Sequence, residues 1–422
     1  MDLVQIVASI IFVLAYVGIA LEHKLHLNKS AVALAAGGVL WLLASISHAE
    51  HLSDELIHAG ADVFAIVIFL LAAMSLVEIL AHYRFFDVLR GKLYALKLND
   101  SKQFILLSLL AFGLSAIIDN LTTTIIMIQI ARQFFKGRNL LLMGAAIVVS
   151  ANAGGAFSPI GDVTTVMLWF AGKFSAGQII LQGILPAVAL WAVATGLMYR
   201  KLDKDTLDTN TEIVTKWLRS EKIIIFTVFT SFLLPLAMSA FSLPPYMGLL
   251  LGLGVVWLAI DLFKRYVPRE THLTASIEDL IRKTDIASLK FFIGILLSVA
   301  ALHTMGVLEK LATLVYGSVP TETALIGGNI SLGLLSAILD NVPLTAIAIQ
   351  ILNTGNESLW VLLALAVGTG GSLLVIGSAA GVVAMGMLKE LNFGNYFKLA
   401  FFPALAGYVA AMAVWGVQYF LF

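Results

Sequence analysis

The sequence has 422 residues, of which 60% are hydrophobic and 12% are charged, and its formal net charge is zero. A soluble chain would carry about 25% charged residues, so the composition predicts an integral membrane protein with a lipid bilayer as its main partner. The balanced charge argues against a nucleic-acid partner, and the lack of cysteine excludes disulfides and thiolate sites.

Eight apolar runs are long enough to cross about 30 Å of hydrocarbon as ordinary helices. They lie near residues 3–21, 30–47, 62–82, 176–199, 221–240, 246–263, 286–303 and 396–421. The first run lacks a basic leader and is interpreted as a retained span. Asp62 is expected to cap the start of the third helix. The stretch SHAEHLSDELIH before it is expected to be a solvated external loop rather than a metal site.

Two longer apolar runs, at 139–171 and 357–389, are interrupted near their midpoints. The interruptions read SANAGGAFSPIGD and GTGGSLLVIGSAAG. Glycine and proline in these positions predict a helix that stops, unwinds and restarts inside the membrane. Each run is therefore expected to be a broken helix that crosses once.

Two further segments, at 103–135 and 322–354, carry the pair Asp-Asn near their midpoints. The apolar half-runs on either side are too short to span comfortably. We interpret each segment as a re-entrant hairpin that enters and leaves on the same side, with its polar tip deep in the protein.

Lysine and arginine support this topology, because cytoplasmic loops of membrane proteins are enriched in both. With each hairpin crossing zero times, 24 of the 26 basic residues lie on the cytoplasmic side, and only Lys173 and Lys310 lie outside. The pattern predicts ten crossings in a bacterial plasma (inner) membrane, with both termini outside.

An internal repeat relates the two halves of the chain. SAIIDNLTTTIIMIQI at 115 aligns without gaps to SAILDNVPLTAIAIQI at 336, with ten identities in sixteen positions, and GGAFSPIG at 154 aligns to GGSLLVIG at 370. Residues 1–199 form the first copy and 221–422 the second, joined by a cytoplasmic linker at 200–220. Each copy has five crossings, an odd number, so the copies must have opposite orientations. Inverted repeats with discontinuous helices are typical of secondary transporters.

The motifs at these breaks resemble those of the NhaD-type sodium/proton antiporters of the ion transporter superfamily. The resemblance rests on DNLTTT and DNVPLT at the paired tips, on SANAGGAFSPIGDVTT in the first broken helix, and on the early EHKLHLNKSAVAL. It implies a homodimer in which a mobile transport domain, built from the hairpins and broken helices, moves as an elevator against a scaffold. It also implies that no cofactor is needed, and that Na+, and also Li+, is exchanged for H+.

The chemistry of the tips favours a hard cation. Relatives that transport carboxylates carry Ser-Asn-Thr tips, whereas both serines are replaced here by aspartate. Two fixed carboxylates repel a dicarboxylate, and sodium prefers oxygen ligands. The candidate ligands of the primary site are Asp119, Asn120, Thr122, Thr123, Asn152, Gly154, Ser158 and Asp162.

The second copy carries fewer charged and hydroxyl groups, because Asp162 aligns with Ser378 and Thr122 with Pro343. We therefore expect it to form a second site for sodium or a proton. The residues of that site are Asp340, Asn341, Thr345, Ser372 and Ser378. Antiport follows if one carboxylate holds either ion, because burial favours the protonated form and bound sodium favours the charged form.

Three other ionisable residues are candidates for a proton relay: Glu78, His82 and His303. Glu78 is one turn from His82, and a local Glu-His pair is the competing interpretation. Both histidines fall at helix ends, where solvated or capping histidines are common. For Asp119 and Asp340 the competing interpretation is a purely structural helix cap.

Two alternative functions remain open at this point. One is another substrate on the same fold, arsenite or a di- or tricarboxylate. The other is an intramembrane aspartyl protease, because Gly161-Asp162 matches half of such a motif, although the second aspartate in a Tyr-Asp context is absent. A secondary transporter, not an enzyme, is the favoured interpretation.

Overall fold

The computed structural model describes residues 2–20, 25, 27–47, 52–203, 216–266 and 284–421. Every regular element within these ranges is helical. The first part of the chain contains α1 (Leu3–Ala20), α2 (Lys29–Ile46), α3 (Leu52–His82), α4 (Phe85–Ala95), α5 (Asp100–Ser115), α6 (Asn120–Ala131), α7 (Gly137–Ala156), α8 (Val163–Phe170) and α9 (Ala176–Tyr199).

The second part follows the same order. It contains α10 (Arg219–Ser231), α11 (Leu234–Ala240), α12 (Pro245–Tyr266), α13 (Ile286–Thr304), α14 (Leu308–Tyr316), α15 (Glu322–Leu335), α16 (Asn341–Ile351), α17 (Glu357–Gly370), a 3-10 turn (Val375–Gly377), α18 (Ala379–Met387), α19 (Phe393–Tyr396), a π-helical turn (Phe397–Phe401) and α20 (Phe402–Leu421).

Within the described residues, eight helical segments are long and apolar enough to cross a membrane, and seven of them correspond to predicted ordinary spans. They are Lys29–Ile46, Leu52–His82, Gly137–Ala156, Ala176–Tyr199, Arg219–Ala240, Pro245–Arg265, Ile286–Thr304 and Phe393–Leu421. The exception, Gly137–Ala156, is the first part of the predicted broken helix at 139–171, whereas the predicted first span is the shorter apolar helix α1. The protein is therefore an integral membrane protein. Which side each terminus faces stays a prediction.

The expectation for Asp62 is wrong. The third helix begins at Leu52, so Asp62 lies three turns inside it and caps nothing. Residues 52–58 of the predicted external loop are helical as well, while 48–51 lie outside the described residues. An apolar run shows which part of a helix lies in the membrane, but the helix can extend beyond it. Here the polar extension places Asp54 and Glu55 in the first turn, where acidic residues stabilise a helix N-terminus.

Both predicted hairpins are helix–turn–helix segments. In the first, α5 has 16 residues and α6 has 12; in the second, α15 has 14 and α16 has 11. All four are shorter than the roughly 20 residues that a span needs. The short lengths agree with re-entrant hairpins, although their depth in the membrane stays a prediction.

Both predicted broken helices are discontinuous. The first stops at Ala156 and restarts at Val163, and the second stops at Gly370 and restarts at Ala379. All residues of α7 from Leu142 to Ala156 and all residues of α17 from Leu359 to Gly370 are buried. A helix that is buried on all sides forms the centre of a large core.

The chain divides into two compact units, and each takes segments from both halves of the sequence repeat. The first comprises Met1–Val63, Asp100–Thr206 and Lys290–Phe422, and it holds both hairpins and both broken helices. The second comprises Phe64–Asn99 and Leu207–Leu289. Contact-based units need not follow repeat boundaries, so the predicted division into 1–199, 200–220 and 221–422 stays a prediction.

Candidate cation site

The first hairpin tip is the turn between α5 and α6, and Asp119 is the N-cap residue of α6. One carboxylate oxygen of Asp119 accepts a hydrogen bond from the backbone N–H of Thr122 at 2.8 Å, and the other accepts one from the Thr122 hydroxyl at 2.6 Å. A carboxylate suits this place because a helix N-terminus presents free amides and the positive end of the helix dipole. Asp119 is half-buried, and each oxygen keeps a lone pair for another partner.

The second hairpin tip repeats this cap with one difference. Asp340 caps α16 and accepts a hydrogen bond from the backbone N–H of Val342 at 3.0 Å. Pro343 stands where the first tip has Thr122, so the second tip has no equivalent hydroxyl. Tyr16 of α1 also interacts electrostatically with Asp340. Both aspartates are therefore helix caps, and ion binding by either stays a prediction.

Asp162 lies where the first broken helix restarts, and it is the most deeply buried of the three acids at the breaks. Its side chain is 2% exposed, and it is the N-cap residue of α8. Its carboxylate accepts hydrogen bonds from the Thr164 N–H at 3.3 Å and from Asn341 Nδ2 at 3.3 and 3.4 Å. All three are long compared with the usual 2.9–3.0 Å, so each of them is a weak hydrogen bond.

The charges of Asp119 and Asp162 have no basic partner among the described side chains. Within the part of the chain that the structure describes, neither Asp119 nor Asp162 forms an ion pair. Asp119 and Asp340 both act electrostatically on Asp162. The same part of the chain contains no group of three or more His, Cys, Asp and Glu side chains arranged to hold a metal ion. The breaks therefore bring a buried aspartate, Asp162, under the electrostatic influence of two half-buried ones.

A chain of buried side chains connects the first tip to the second broken helix. Asn120 Nδ2 donates to Asn152 Oδ1 at 3.0 Å. Asn152 Nδ2 donates to Ser372 Oγ at 2.9 Å and to Ser378 Oγ at 3.0 Å. Asn152 is 0% exposed. The two sites that the sequence analysis assigned to separate halves are thus joined by hydrogen bonds.

The same contact recurs once in each half. Ser115 Oγ donates to the carbonyl of Ala151 at 2.6 Å, and Ser336 Oγ donates to the carbonyl of Val367 at 2.9 Å. Ser115 and Ser336 are the first residues of the aligned sequence repeat. Each hydroxyl fastens the end of the first hairpin helix to the broken helix beside it.

Gly154 was predicted as a ligand through its backbone, and the structure gives it a packing role. A Cβ added at Gly154 would overlap the carbonyl of Phe112, so only glycine allows α5 and α7 to approach this closely. Gly370 stands in the same relation to the carbonyl of Gly333 in the second half. Close backbone contact of this kind is common where small residues line a helix interface in a membrane.

The structure brings together most of the predicted ligands. Six of their side chains form hydrogen bonds between different segments of the hairpins and broken helices: Asn120, Asn152, Asp162, Asn341, Ser372 and Ser378. Three others donate to backbone carbonyls: Thr123 to Ile118, Thr345 to Asn341, and Ser158 to Ala116. A hydroxyl that donates a hydrogen bond keeps lone pairs that can bind a cation. Cation binding by these three residues stays a prediction.

The predicted proton relay is not tested by this arrangement. Glu78 and His82 lie one turn apart near the end of α3, and the ring of His82 contacts Tyr83 edge-on at 5.1 Å. His303 lies at the end of α13 and is exposed. The expectation that both histidines fall at helix ends is confirmed, and their role in proton transfer stays a prediction.

Sequence reasoning missed several residues that the structure places in this region. Ser115 and Ser336 could have been found, because they are identical in the aligned repeat. Thr164 follows Asp162 by two residues, and no sequence signal distinguishes it from its neighbours. In the structure its hydroxyl is buried and has no hydrogen-bond partner among the described residues.

Buried acids at paired helix breaks inside an apolar helical bundle define a class of protein. Ionisable residues at membrane depth mark pathways for ions or substrates, and discontinuous helices in paired positions are typical of secondary transporters. The fold and the site therefore define a membrane transporter.

Comparison with known proteins gives the family. A family model described as a citrate transporter matches residues 16–368. The chain is 36% identical to sodium/proton antiporter 2 of Arabidopsis thaliana, covering 96% of this chain and 97% of that protein. It is 30% identical to the Na(+)/H(+) antiporter NhaD of Alkalimonas amylolytica, covering 98% of this chain and 90% of that protein. The chain belongs to the citrate transporter family and, within it, to the NhaD-type sodium/proton antiporters, which are transporters and not enzymes.

Proposed function

We propose that the protein exchanges Na+ for H+ across the membrane and that the two ions compete for Asp162. One observation carries this proposal: the Asp162 carboxylate is 2% exposed, and the hydrogen bonds that it accepts from Thr164 and Asn341 are 3.3–3.4 Å long. A buried carboxylate without a basic partner is costly as a bare charge, and either a proton or a metal cation removes that cost. Relatives named as sodium/proton antiporters support the same conclusion.

Sodium needs several oxygen ligands, and the surrounding residues offer them. Asp119 adds a second carboxylate from the first tip. Neutral oxygens come from the hydroxyls and amides that line the break. The proposed primary site comprises Asp119, Asn120, Thr122, Thr123, Asn152, Ser158 and Asp162, and the proposed second site comprises Asp340, Asn341, Thr345, Ser372 and Ser378. Lithium, a smaller cation with the same ligand preference, is proposed as a second substrate.

Competition between Na+ and H+ for one carboxylate is enough to couple the two ion flows, and no separate coupling site is needed. On the side with high sodium, the cation displaces the proton; on the other side, a proton displaces the cation. The empty carboxylate, buried and charged, is the least favourable state. The protein therefore rarely changes conformation without an ion, which makes the exchange obligatory.

The movement that exposes the site to alternate sides is proposed to be of the elevator type. Both hairpins and both broken helices belong to the first compact unit, as a mobile transport domain requires. A homodimer in a bacterial plasma membrane, with both termini outside, completes the proposal. Glu78, His82 and His303 are proposed to assist proton transfer.

A di- or tricarboxylate is the second candidate substrate, because the matching family model is described as a citrate transporter. The charge of the site opposes it. Asp119, Asp162 and Asp340 would repel an anion, and no described basic side chain pairs with Asp119 or Asp162. Citrate uptake is therefore expected to be absent.

The experiment is proton flux in proteoliposomes, monitored by a pH-sensitive dye on addition of Na+, Li+, K+, arsenite, citrate or succinate. Wild-type protein should respond to Na+ and Li+. Asp162→Asn keeps the shape of the side chain and removes its charge, so flux should be lost. Asp87→Asn is the matched control, because Asp87 is half-exposed and pairs with Arg90 on the surface.

Each result bears on the proposal. A response to citrate or succinate alone would replace the proposed substrate and keep the family. Normal sodium-dependent flux in Asp162→Asn, with the control also normal, would refute competition at this carboxylate. Thermal melting of both variants in detergent separates loss of transport from loss of folding.

A further inference from the structure

A polar cavity lies between the starts of α15 and α17, the side of α9 and the end of α20. All four helices belong to the first compact unit. The volume of the cavity is about 610 Å³. Pockets that bind small molecules have volumes of roughly 300–1,000 Å³, so the space suits a molecule rather than a single bare ion. None of the residues that line it belongs to the proposed ion sites.

The charge of the cavity is negative. Among the described residues that line it, Glu322 is acidic and none is a lysine, arginine or histidine. The hydroxyl of Tyr419 accepts a hydrogen bond from Asn356 Nδ2 at 2.9 Å and interacts electrostatically with Glu322. These three side chains connect the ends of α15, α17 and α20 on one side of the cavity. A ligand with a positive charge is therefore favoured.

Two other lining residues carry buried amide oxygens that lack a hydrogen-bond partner. They are Gln182 on α9 and Gln418 on α20, and neither Oε1 atom accepts a hydrogen bond from the part of the chain that the structure describes. A buried polar atom without a partner lowers stability, so such atoms need an explanation. Both atoms are acceptors, as is the Glu322 carboxylate. A ligand that supplies N–H donors would satisfy them.

The two helix N-termini at the cavity do not make it an anion site. Thr321 and Asn356 are the N-cap residues of α15 and α17, and each side chain accepts a hydrogen bond from a backbone N–H of its own helix, at 3.2 and 3.0 Å. These caps use amides that could otherwise hold an anion. Glu322 and Glu357 lie in the first turns of the same helices and oppose negative charge further.

We propose that this cavity binds a small organic cation with a primary ammonium group. The ammonium brings a positive charge for Glu322 and three N–H donors, which can be shared between the carboxylate and the amide oxygens of Gln182 and Gln418. The ring of Phe420 lines the cavity and is 71% exposed, so it offers a face to the cation. The site is separate from the proposed exchange of ions at Asp162 and does not depend on it.

The first test is the melting temperature of the detergent-solubilised wild-type protein, measured at neutral pH, constant sodium and constant ionic strength. Ethanolamine should raise it. Ethylene glycol lacks the charge and tetramethylammonium lacks the N–H donors, so each should bind ~10-fold more weakly, the typical effect of losing a hydrogen bond to a charged group. Equal stabilisation by either compound, or by succinate, would refute the inference.

Two variants test the residues on which the inference depends. Glu322→Gln removes the charge and Gln182→Leu removes an unpaired amide, so each should weaken ethanolamine binding by about 10-fold. Glu309→Gln is the control for the first, because Glu309 is an exposed residue in the first turn of α14 and does not line the cavity. Gln178→Leu, one turn earlier on α9, is the control for the second. Ethanolamine binding that is unchanged in both Glu322→Gln and Gln182→Leu would refute the inference.

Free amines and the ethanolamine headgroup of a lipid share this chemistry, and nanodiscs distinguish them. The comparison is between phosphatidylethanolamine and phosphatidylcholine, which has the same phosphate but no N–H donor. A higher melting temperature in phosphatidylethanolamine that is lost in Glu322→Gln would assign the site to a lipid headgroup. A response to soluble ethanolamine alone would assign it to a free amine. If neither form of ethanolamine stabilises the wild-type protein, the inference is wrong, whatever the result for sodium-dependent proton flux.

Discussion

Asn341 and Asp162 meet in the core although they are 179 residues apart in sequence: Asn341 Nδ2 lies 3.4 Å from one carboxylate oxygen and 3.3 Å from the other. The amide comes from the second hairpin tip and the carboxylate from the first broken helix. A carboxylate site that looks local in sequence is therefore shared between the two halves of the chain. Any ion bound at Asp162 is influenced by groups from both.

Replacing Asn341 with alanine should shift the pH dependence of exchange. The amide stabilises the charged carboxylate more than the protonated acid, so its loss favours the proton in the competition. A hydrogen bond to a charged group is worth about 1.5–3 kcal/mol, and these are long, so a shift of about one pH unit is expected. The pH at half-maximal sodium-dependent flux should therefore rise.

Asn356→Ala is the control for that shift, since Asn356 is exposed and its amide bonds to Tyr419 at the end of α20. Thermal melting of both variants in detergent checks that each is folded. If the half-maximal pH of Asn341→Ala matches that of the control, the amide does not tune Asp162.

Competition between Na+ and H+ makes a prediction for the wild-type protein alone. Lowering the pH should raise the apparent KM for sodium, by up to ~10-fold per pH unit when one proton competes. The maximal rate at saturating sodium should change less. The measurement is sodium-dependent flux at a series of equal internal and external pH values. A KM that stays constant while the maximal rate falls would point to separate sites for the two ions.

Much of the fold could be predicted from the sequence, because its signals are strong and local. The breaks are marked by glycine and proline, and the tips by Asp119 and Asp340, each of which has the N-cap role that its position suggests. The internal repeat predicts the same order, a hairpin followed by a broken helix, in each half of the chain. The start of the third helix was missed because Asp62 follows a polar stretch that is helical without being apolar.

For the site, the sequence predicted which residues are involved but not which of them contact each other. The sequence shows that Asn152 and Asp162 lie near a break, but their partners, Ser378 and Asn341, come from the other half of the chain. Such pairs depend on how the broken helices cross, which no local pattern encodes. The sequence therefore predicts two separate sites, whereas the structure joins the two halves through two sets of hydrogen bonds, one centred on Asn152 and one on Asp162.

The close-packed glycines should be sensitive to a single methyl group. Gly154→Ala places a Cβ against the carbonyl of Phe112, and Gly370→Ala places one against the carbonyl of Gly333. Each should destabilise the protein by about 1–3 kcal/mol, because overpacking a buried helix contact forces the backbone apart. Thermal melting in detergent measures the effect.

Gly113→Ala supplies the comparison, because Gly113 lies on the same helix as Phe112 and has open space around its added Cβ. Alanine there should be neutral or stabilising by up to about 1 kcal/mol, as its higher helix propensity implies. Equal melting temperatures for Gly113→Ala and Gly154→Ala would show that the close approach of α5 and α7 is not required.

Ser115 and Ser336 should contribute equally to stability, because each makes the same buried hydrogen bond to the broken helix in its own half. Ser115→Ala and Ser336→Ala should each cost about 0.5–1.5 kcal/mol. Their sum should describe the double variant, since the two bonds share no partner. Ser331→Ala, which removes an exposed hydroxyl bonded within its own helix, should have little effect. A large loss in one half alone would show that the repeated contact does not carry equal weight in the two hairpins.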